Sequence, residues 1–102
     1  NPLIAKIVAK HKYKVQPIGV NKSFVIKNTN AFYGTYKKLV RNRKYKIIGS
    51  KTGTTRAAGH CLVATAVDEE GNTVICAFYG NGGYERLYKD IRKLLDYAFA
   101  RY

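Results

Sequence analysis

Two nearly continuous apolar runs, residues 59–67 (Gly-His-Cys-Leu-Val-Ala-Thr-Ala-Val) and 73–80 (Thr-Val-Ile-Cys-Ala-Phe-Tyr-Gly), constrain this chain more than anything else in it. Both are of strand length and rich in β-branched and aromatic side chains, which suit a pleated surface and lose rotamer freedom in a helix. Between them Asp68-Glu69-Glu70-Gly71-Asn72 supplies turn chemistry, so the two runs read as an antiparallel hairpin. Neither alternates cleanly between apolar and polar, a pattern that fits a sheet covered on both faces by helices. Residues 45–52 read as a further strand ahead of them.

A helix is expected over 84–101, where Leu87, Ile91, Leu94, Leu95, Ala98 and Tyr102 fall along one stripe. The Gly80-Asn81-Gly82-Gly83 break before it lacks the Lys-Ser/Thr ending of a phosphate loop and reads as a strand-to-helix turn. At the other end, Asn1 and Pro2 form an N-cap and first-position pair, and Leu3, Ile4, Ile7 and Val8 recur at helical spacing, predicting a short helix to about Lys10. Residues 13–17 and 23–27 are β-prone, with Gly19 and Asn21 between them, and predict a small hairpin. Asn28-Thr29-Asn30 has the form of a helix cap ahead of 31–36, and 37–46 reads as an exposed basic loop. The expectation is an α+β chain with an antiparallel sheet flanked by helices, without internal repeats, low-complexity segments or a linker long enough to separate two domains.

A length of 102 residues corresponds to about one domain with a modest core. Because the chain opens at Asn1-Pro2 without an initiator Met or a signal sequence, the expectation is a longer parent with more chain ahead of it. No apolar stretch approaches the roughly 20 residues that a spanning helix needs. Cys61 and Cys76 fall on the two neighbouring strands, with Cys61 opposite Phe78 or Tyr79. Cys76 is then roughly two or three residues out of register, and two buried free thiols are expected in place of a disulfide. His11 and His60 offer no ligand pair at metal spacing, so no metal is expected. The formal charge of +13 is the most pronounced compositional figure, and six of the eleven residues 36–46 are Lys or Arg, interleaved with Tyr36 and Tyr45. Such a surface attracts polyanions, and aromatics among cations can stack bases. A solvated basic face is the plainer reading, because no nucleic-acid module signature accompanies the charge.

The run Gly49-Ser50-Lys51-Thr52-Gly53-Thr54-Thr55-Arg56-Ala57-Ala58-Gly59 places a Lys-Thr-Gly triplet directly ahead of the apolar strand. Lys is a point charge, Thr a hydroxyl donor, and Gly admits close approach to the backbone, a set that can hold a carboxylate in one orientation. Extended through Cys-Leu-Val-Ala-Thr-Ala, a turn, Val-Ile-Cys-Ala-Phe-Tyr-Gly and a helix with Lys-Leu-Leu-Asp-Tyr-Ala-Phe, this order resembles the serine D-alanyl-D-alanine carboxypeptidases, the low-molecular-mass penicillin-binding proteins. The resemblance is closest over 28–102, where Asn28-Thr29-Asn30 also matches. It implies a partial β-lactamase/transpeptidase-like fold, with 1–102 as one partial domain from the C-terminal part of the catalytic domain. The family's other two boxes, SxxK and SxN, are missing: Ser23 is followed by Phe24-Val25-Ile26 and Ser50 by Lys51-Thr52-Gly53.

The resemblance implies that Lys51 gives positive potential at the terminal carboxylate of a D-alanyl-D-alanine peptide or penicillin, and reaches towards the SxN serine. It implies that Thr52 and Thr54 donate hydroxyls to that carboxylate, that Gly53 leaves room, and that the Thr54 backbone N–H is one of two oxyanion donors. The second donor is the missing serine's own N–H, so Lys51 and Thr54 form an incomplete catalytic set and the chain alone is expected to be inactive. Arg86 sits where the family often has a carboxylate-assisting arginine, one residue off the usual spacing; a surface arginine at a helix start is the other reading. His60 stands where the family has Tyr and is expected as a buried or half-buried strand residue. No cofactor is implied. Implied partners are peptidoglycan stem peptides and β-lactams in an extracytoplasmic, cell-envelope setting, and either the N-terminal part of the same enzyme or a second copy along the open edge of 73–80. The competing expectation is a basic, Tyr-rich binding module for nucleic acid or anionic wall polymer.

Overall fold

The computed structural model describes residues 1–102, the side chain of Asn81 excepted. Its elements are α1 (Pro2–Val8), β1 (Lys12–Val15), β2 (Phe24–Lys27), two single 3-10 turns (Ala31–Tyr33 and Lys37–Leu39), β3 (Tyr45–Thr55), β4 (Gly59–Asp68), β5 (Thr73–Asn81) and α2 (Tyr84–Phe99). Strands β1 and β2 form a separate two-stranded ribbon, and β3, β4 and β5 form an antiparallel sheet in that spatial order. The expected α+β architecture is the one observed.

Helix α1 starts as its sequence requires: the Asn1 Oδ1 accepts from the backbone N–H groups of Leu3 and Ile4 at 2.9 and 3.2 Å, with Pro at the first turn. It stops at Val8, two residues early, because the Asn28 amide donates to the carbonyls of Val8 and Lys10 at 3.0 and 2.9 Å and the chain turns into β1. The cap read at Asn28-Thr29-Asn30 is also present, since Asn30 Oδ1 accepts from Phe32 N–H at 3.0 Å. It opens a single 3-10 turn and not a helix to Tyr36. Gly34 takes φ −128° and ψ −113°, which breaks the helical path. That turn inserts Phe32 edge-on against the Tyr88 ring at 4.6 Å, and the Tyr88 hydroxyl accepts from Ala31 N–H at 3.0 Å.

The main sheet buries one face beneath α2. Alternation along the strands points Leu62, Ala64 and Ala66 of β4 and Cys76 of β5 into a core shared with Leu87, Tyr88, Ile91 and Leu95 of α2. The helix stripe differs from expectation at its edges: Leu94 and Tyr102 are exposed, and Tyr88 is buried in their stead. The strand ends run to Thr55, Asp68 and Asn81, one to three residues beyond their expected ends. At the β4–β5 turn, Asp68 accepts from Glu70 N–H, Asn72 N–H and the Asn72 side-chain amide at 2.8–3.0 Å, and Gly71 takes φ +87°.

The second face departs from expectation. It is not covered throughout: Val8 of α1 seats over Gly49, where an added Cβ would meet Val8 Cγ2 at 3.1 Å, while Ile75 and Tyr79 of β5 stand 68% and 72% exposed. The expectation of helices over both faces is met in full on one face only. Both cysteines are free, with Cys76 paired to Ala64 and Leu62 to Phe78, so the register keeps the sulfurs apart as expected. Cys61 is half-buried and not buried, because the register shifts between His60 and Leu62 and places it in an irregularity of the strand.

Candidate functional site: the outer strand and its Lys-Thr-Gly box

Strand β3 is an outer strand of the sheet, and the Lys-Thr-Gly box lies in its second half. Register fixes which way each side chain faces: Lys51 stands opposite Val63, Thr52 opposite Leu62, Gly53 opposite Cys61 and Thr54 opposite His60. Because successive side chains alternate, Thr52 and Thr54 share the α2 face with Leu62, while Lys51 points to the face that α2 leaves open. The box therefore presents its charge on one side of the strand and its hydroxyls on the other, with Gly53 between.

Lys51 is exposed, its ammonium donates to the Thr52 carbonyl at 2.6 Å, and among the described residues no ion pair involves it. Gly53 has no other atom within 4 Å of where a Cβ would sit, and its φ is outside the left-handed region. Its value at this position is thus room above the strand and not backbone conformation. Beyond it, Thr55 Oγ1 accepts from Ala58 N–H at 2.9 Å, and Gly80 N–H donates to the Ala58 carbonyl at 2.7 Å, pinning the β3–β4 turn to the end of β5.

The Thr54 side chain is the most connected group of the box. Its Oγ1 lies 2.6 Å from the Tyr84 hydroxyl and 3.0 Å from His60 Nδ1, and the Tyr84 hydroxyl also reaches the Gly53 carbonyl at 3.3 Å. The His60 and Tyr84 rings lie 4.4 Å apart between centroids. His60 is half-buried, as expected for a strand residue. Sequence reasoning did not single out Tyr84. It is the first residue of α2, and its one signal is a phenol set immediately after a glycine-rich break, at the point where a helix is aimed back at a sheet. Arg86, two residues on, has an 83% exposed side chain and pairs with Asp90 at 3.8 Å along the helix. The contact from α2 to the box is made by Tyr84, and Arg86 is not brought to it.

Among the described residues no group of His, Cys, Asp and Glu is arranged to hold a metal, and no helix is long and apolar enough to cross a membrane. The strand end offers a cation on one side, two threonine hydroxyls and the Tyr84 phenol on the other, and open space over Gly53 between them.

The family model for D-alanyl-D-alanine carboxypeptidases matches residues 2–81. The chain is similar in structure to a D-alanyl-D-alanine carboxypeptidase from Mycobacterium tuberculosis, with a TM-score of 0.74, 25% identity and 98% of this chain covered. It is equally similar in fold to an evolved penicillin-binding protein homologue from the same organism, with a TM-score of 0.74, 24% identity and 98% covered. In both cases it spans 35% of the other chain. No curated protein sequence matches. With four-fifths of its residues inside the family model and nearly all of them in the shared fold, the chain belongs to the D-alanyl-D-alanine carboxypeptidase family.

Proposed function

We propose that this chain is the C-terminal part of the catalytic domain of a serine-type D-alanyl-D-alanine carboxypeptidase, and that the exposed end of β3 grips the C-terminal carboxylate of a peptidoglycan stem peptide or a β-lactam. One observation carries the reading: the Lys-Thr-Gly box lies on an outer strand, with its ammonium exposed and open space above Gly53. Lys51 supplies positive potential. Its bond to the Thr52 carbonyl is made at the surface, where the head can swing to a ligand or to a serine from the missing part at little cost. Thr52 and Thr54 offer hydroxyls, Gly53 gives room, and the Thr54 backbone N–H is one oxyanion donor. Arg86, whose ion pair with Asp90 is long and largely exposed, can turn towards the same anion.

The reaction needs a nucleophile and a second oxyanion donor from the preceding part of the enzyme. Its serine attacks the carbonyl of the penultimate D-alanine, terminal D-alanine leaves, and water hydrolyses the acyl-enzyme. That part also finds a seat on the sheet, since β5 has no neighbour on its outer side among the described strands. A second copy of the chain is the other candidate for that edge. The setting is the cell envelope, outside the cytoplasm. A fluorescent penicillin tests the reading: it should label the complete enzyme, fail to label this chain, and label a mixture of this chain with the preceding part. Labelling of this chain alone would overturn it.

A second reading draws on the charge distribution. All six acidic residues fall at or after Asp68, and the first 67 residues hold fourteen of the nineteen Lys and Arg with no carboxylate among them. A segment so rich in cations attracts phosphate-rich polymers, although Arg43 is paired with Asp96 at 3.4 Å. Binding of a short polyphosphate by this chain, falling steeply with salt and lost on neutralising the cations of 37–46, would support it; salt-insensitive binding would not.

A further inference from the structure

The contacts around Thr54 contain a proton-accounting problem, and its solution assigns roles to two residues outside the box. A threonine hydroxyl has one hydrogen and two lone pairs, and a carboxylate can only accept. Thr54 Oγ1 already has two neighbours at hydrogen-bond distance, His60 Nδ1 at 3.0 Å and the Tyr84 hydroxyl at 2.6 Å. When Nδ1 is bare it can only accept, so the Thr54 hydrogen points at the imidazole. The Tyr84 hydrogen then points at Thr54, and a ligand arriving there meets lone pairs alone. When Nδ1 carries a hydrogen, the imidazole donates to Thr54, the Tyr84 hydrogen goes to the Gly53 carbonyl at 3.3 Å, and the Thr54 hydrogen is released. In the empty site Tyr84 takes it; with a carboxylate present the anion takes it. Thr54 itself is exposed, so a ligand can reach it.

We infer that His60 and Tyr84 are positioning residues for the carboxylate clamp: together they set the direction of the Thr54 hydroxyl, and the clamp accepts an anion fully only when His60 Nδ1 bears a hydrogen. This rests on the reading of β3 as a carboxylate clamp. Among the described side chains, those at the imidazole are the Thr54 hydroxyl from β3 and the Tyr84 phenol from α2; the backbone partner of His60 on β5 is Asn81. The charged side chains at the ends of the same elements are exposed: Arg56 in the β3–β4 turn, and Glu85 and Arg86 on α2, which pair with Lys89 and Asp90. Among the described residues no ion pair involves His60; protonation both adds a positive charge beside Thr54 and turns the hydrogen bond there, and the uncharged donor of His60→Asn separates the two effects.

The test is a titration of the 102-residue chain with N-acetyl-D-alanyl-D-alanine, followed through the backbone amides of Thr52, Gly53 and Thr54 by NMR, at the two ends of the range in which histidines titrate, roughly pH 5 and pH 8. With the neutral ring carrying its hydrogen on Nε2 and Nδ1 bare, wild-type binding should weaken roughly three- to tenfold from the acidic to the basic end, the size of one hydrogen bond. His60→Asn, whose side-chain amide can always donate, should hold the acidic-end affinity at both pH values; His60→Phe and Thr54→Val should bind weakly at both. In the wild type the ligand should move the His60 titration to higher pH and leave that of His11 in place, by reciprocity. That readout needs no variant to fold. Amide shifts that saturate equally at both pH values, with His60 titrating as in the free chain, would overturn the inference while leaving the clamp standing. No shift at these amides in any form would bring down the clamp and the inference together.

Discussion

Asp96 shows how one carboxylate can organise the end of a sheet. It accepts from the Tyr45 hydroxyl at 2.7 Å and lies 3.4 Å from the guanidinium groups of both Arg43 and Arg92. Burial, then the hydrogen bond to Asp96 and the charge of that carboxylate, push the Tyr45 phenol well above the ordinary tyrosine range, only partly offset by Arg43 and Arg92. An acid whose folded pKa is raised stabilises the fold while protonated, fully so below the unfolded value of about 10, and that contribution is lost as pH climbs beyond it. Alkaline titration should therefore unfold the wild type with a pH dependence that Tyr45→Phe flattens above about pH 10; identical profiles would count against the pairing. The strand bearing Tyr45 was legible in the sequence, and so was the Lys-Thr-Gly box, because both depend on local pattern. The partners were not. Nothing in residues 43, 92 and 96 announces that they converge, and nothing at Tyr84 announces that it meets Thr54, since those contacts are set by how α2 lies across the sheet.

Secondary elements here followed their local signals closely and departed from them for identifiable reasons. Caps at Asn1 and Asn30, the Asp68–Asn72 turn and the pairing of the long runs were all legible, because side-chain to backbone bonding is fixed within a few residues. The lengths of α1 and of the turn after Asn30 were not, because they depend on Asn28 reaching back to α1 and on the path taken by Gly34. Asp68 is held below the usual carboxylate range chiefly by the Asn72 side-chain amide, against a desolvation cost, with the backbone N–H groups of Asn72, Glu70 and Gly71 adding to the lowering. The stabilisation it gives the turn is present above the unfolded carboxylate pKa and fades as pH falls through the folded one. Asp68→Ala should speed amide exchange across the β4–β5 turn, whereas Asp68→Asn, which keeps an acceptor, should largely spare it and remove the acid dependence. At the other face, Gly49→Val should lift α1 off the sheet, because the space is already filled to 3.1 Å by Val8. Amide exchange should rise in α1 while α2 stays protected; equal protection in both would contradict this seating. By contrast Ile91→Ala, at a wholly buried position under the sheet, should cost about 2–5 kcal/mol of whole-chain stability.

Taken whole, the molecule is more extended than a compact domain of its length. Its radius of gyration is 15.3 Å, against about 13 Å for a compact chain of this length. Its exposed apolar side chains include Leu3, Ile4 and Ile7 of α1 and Ile75 and Tyr79 of β5. The apolar runs led to an expectation of helices on both faces, and the structure has full cover on one face only, because a strand pattern does not specify what packs on it. Sedimentation of the chain alone should show concentration-dependent association that Ile75→Lys, a charge on the open edge strand, reduces; a stable monomer at high concentration would argue that the edge needs no partner. The most direct measurement is the acylation rate of the complete enzyme by a fluorescent penicillin, with and without Lys51→Ala. If the exposed end of β3 is the anion clamp, the substitution should slow acylation by a factor on the order of 100 or more while leaving the thermal transition within a degree or two, since the side chain is at the surface. Equal rates in the two proteins would contradict the assignment.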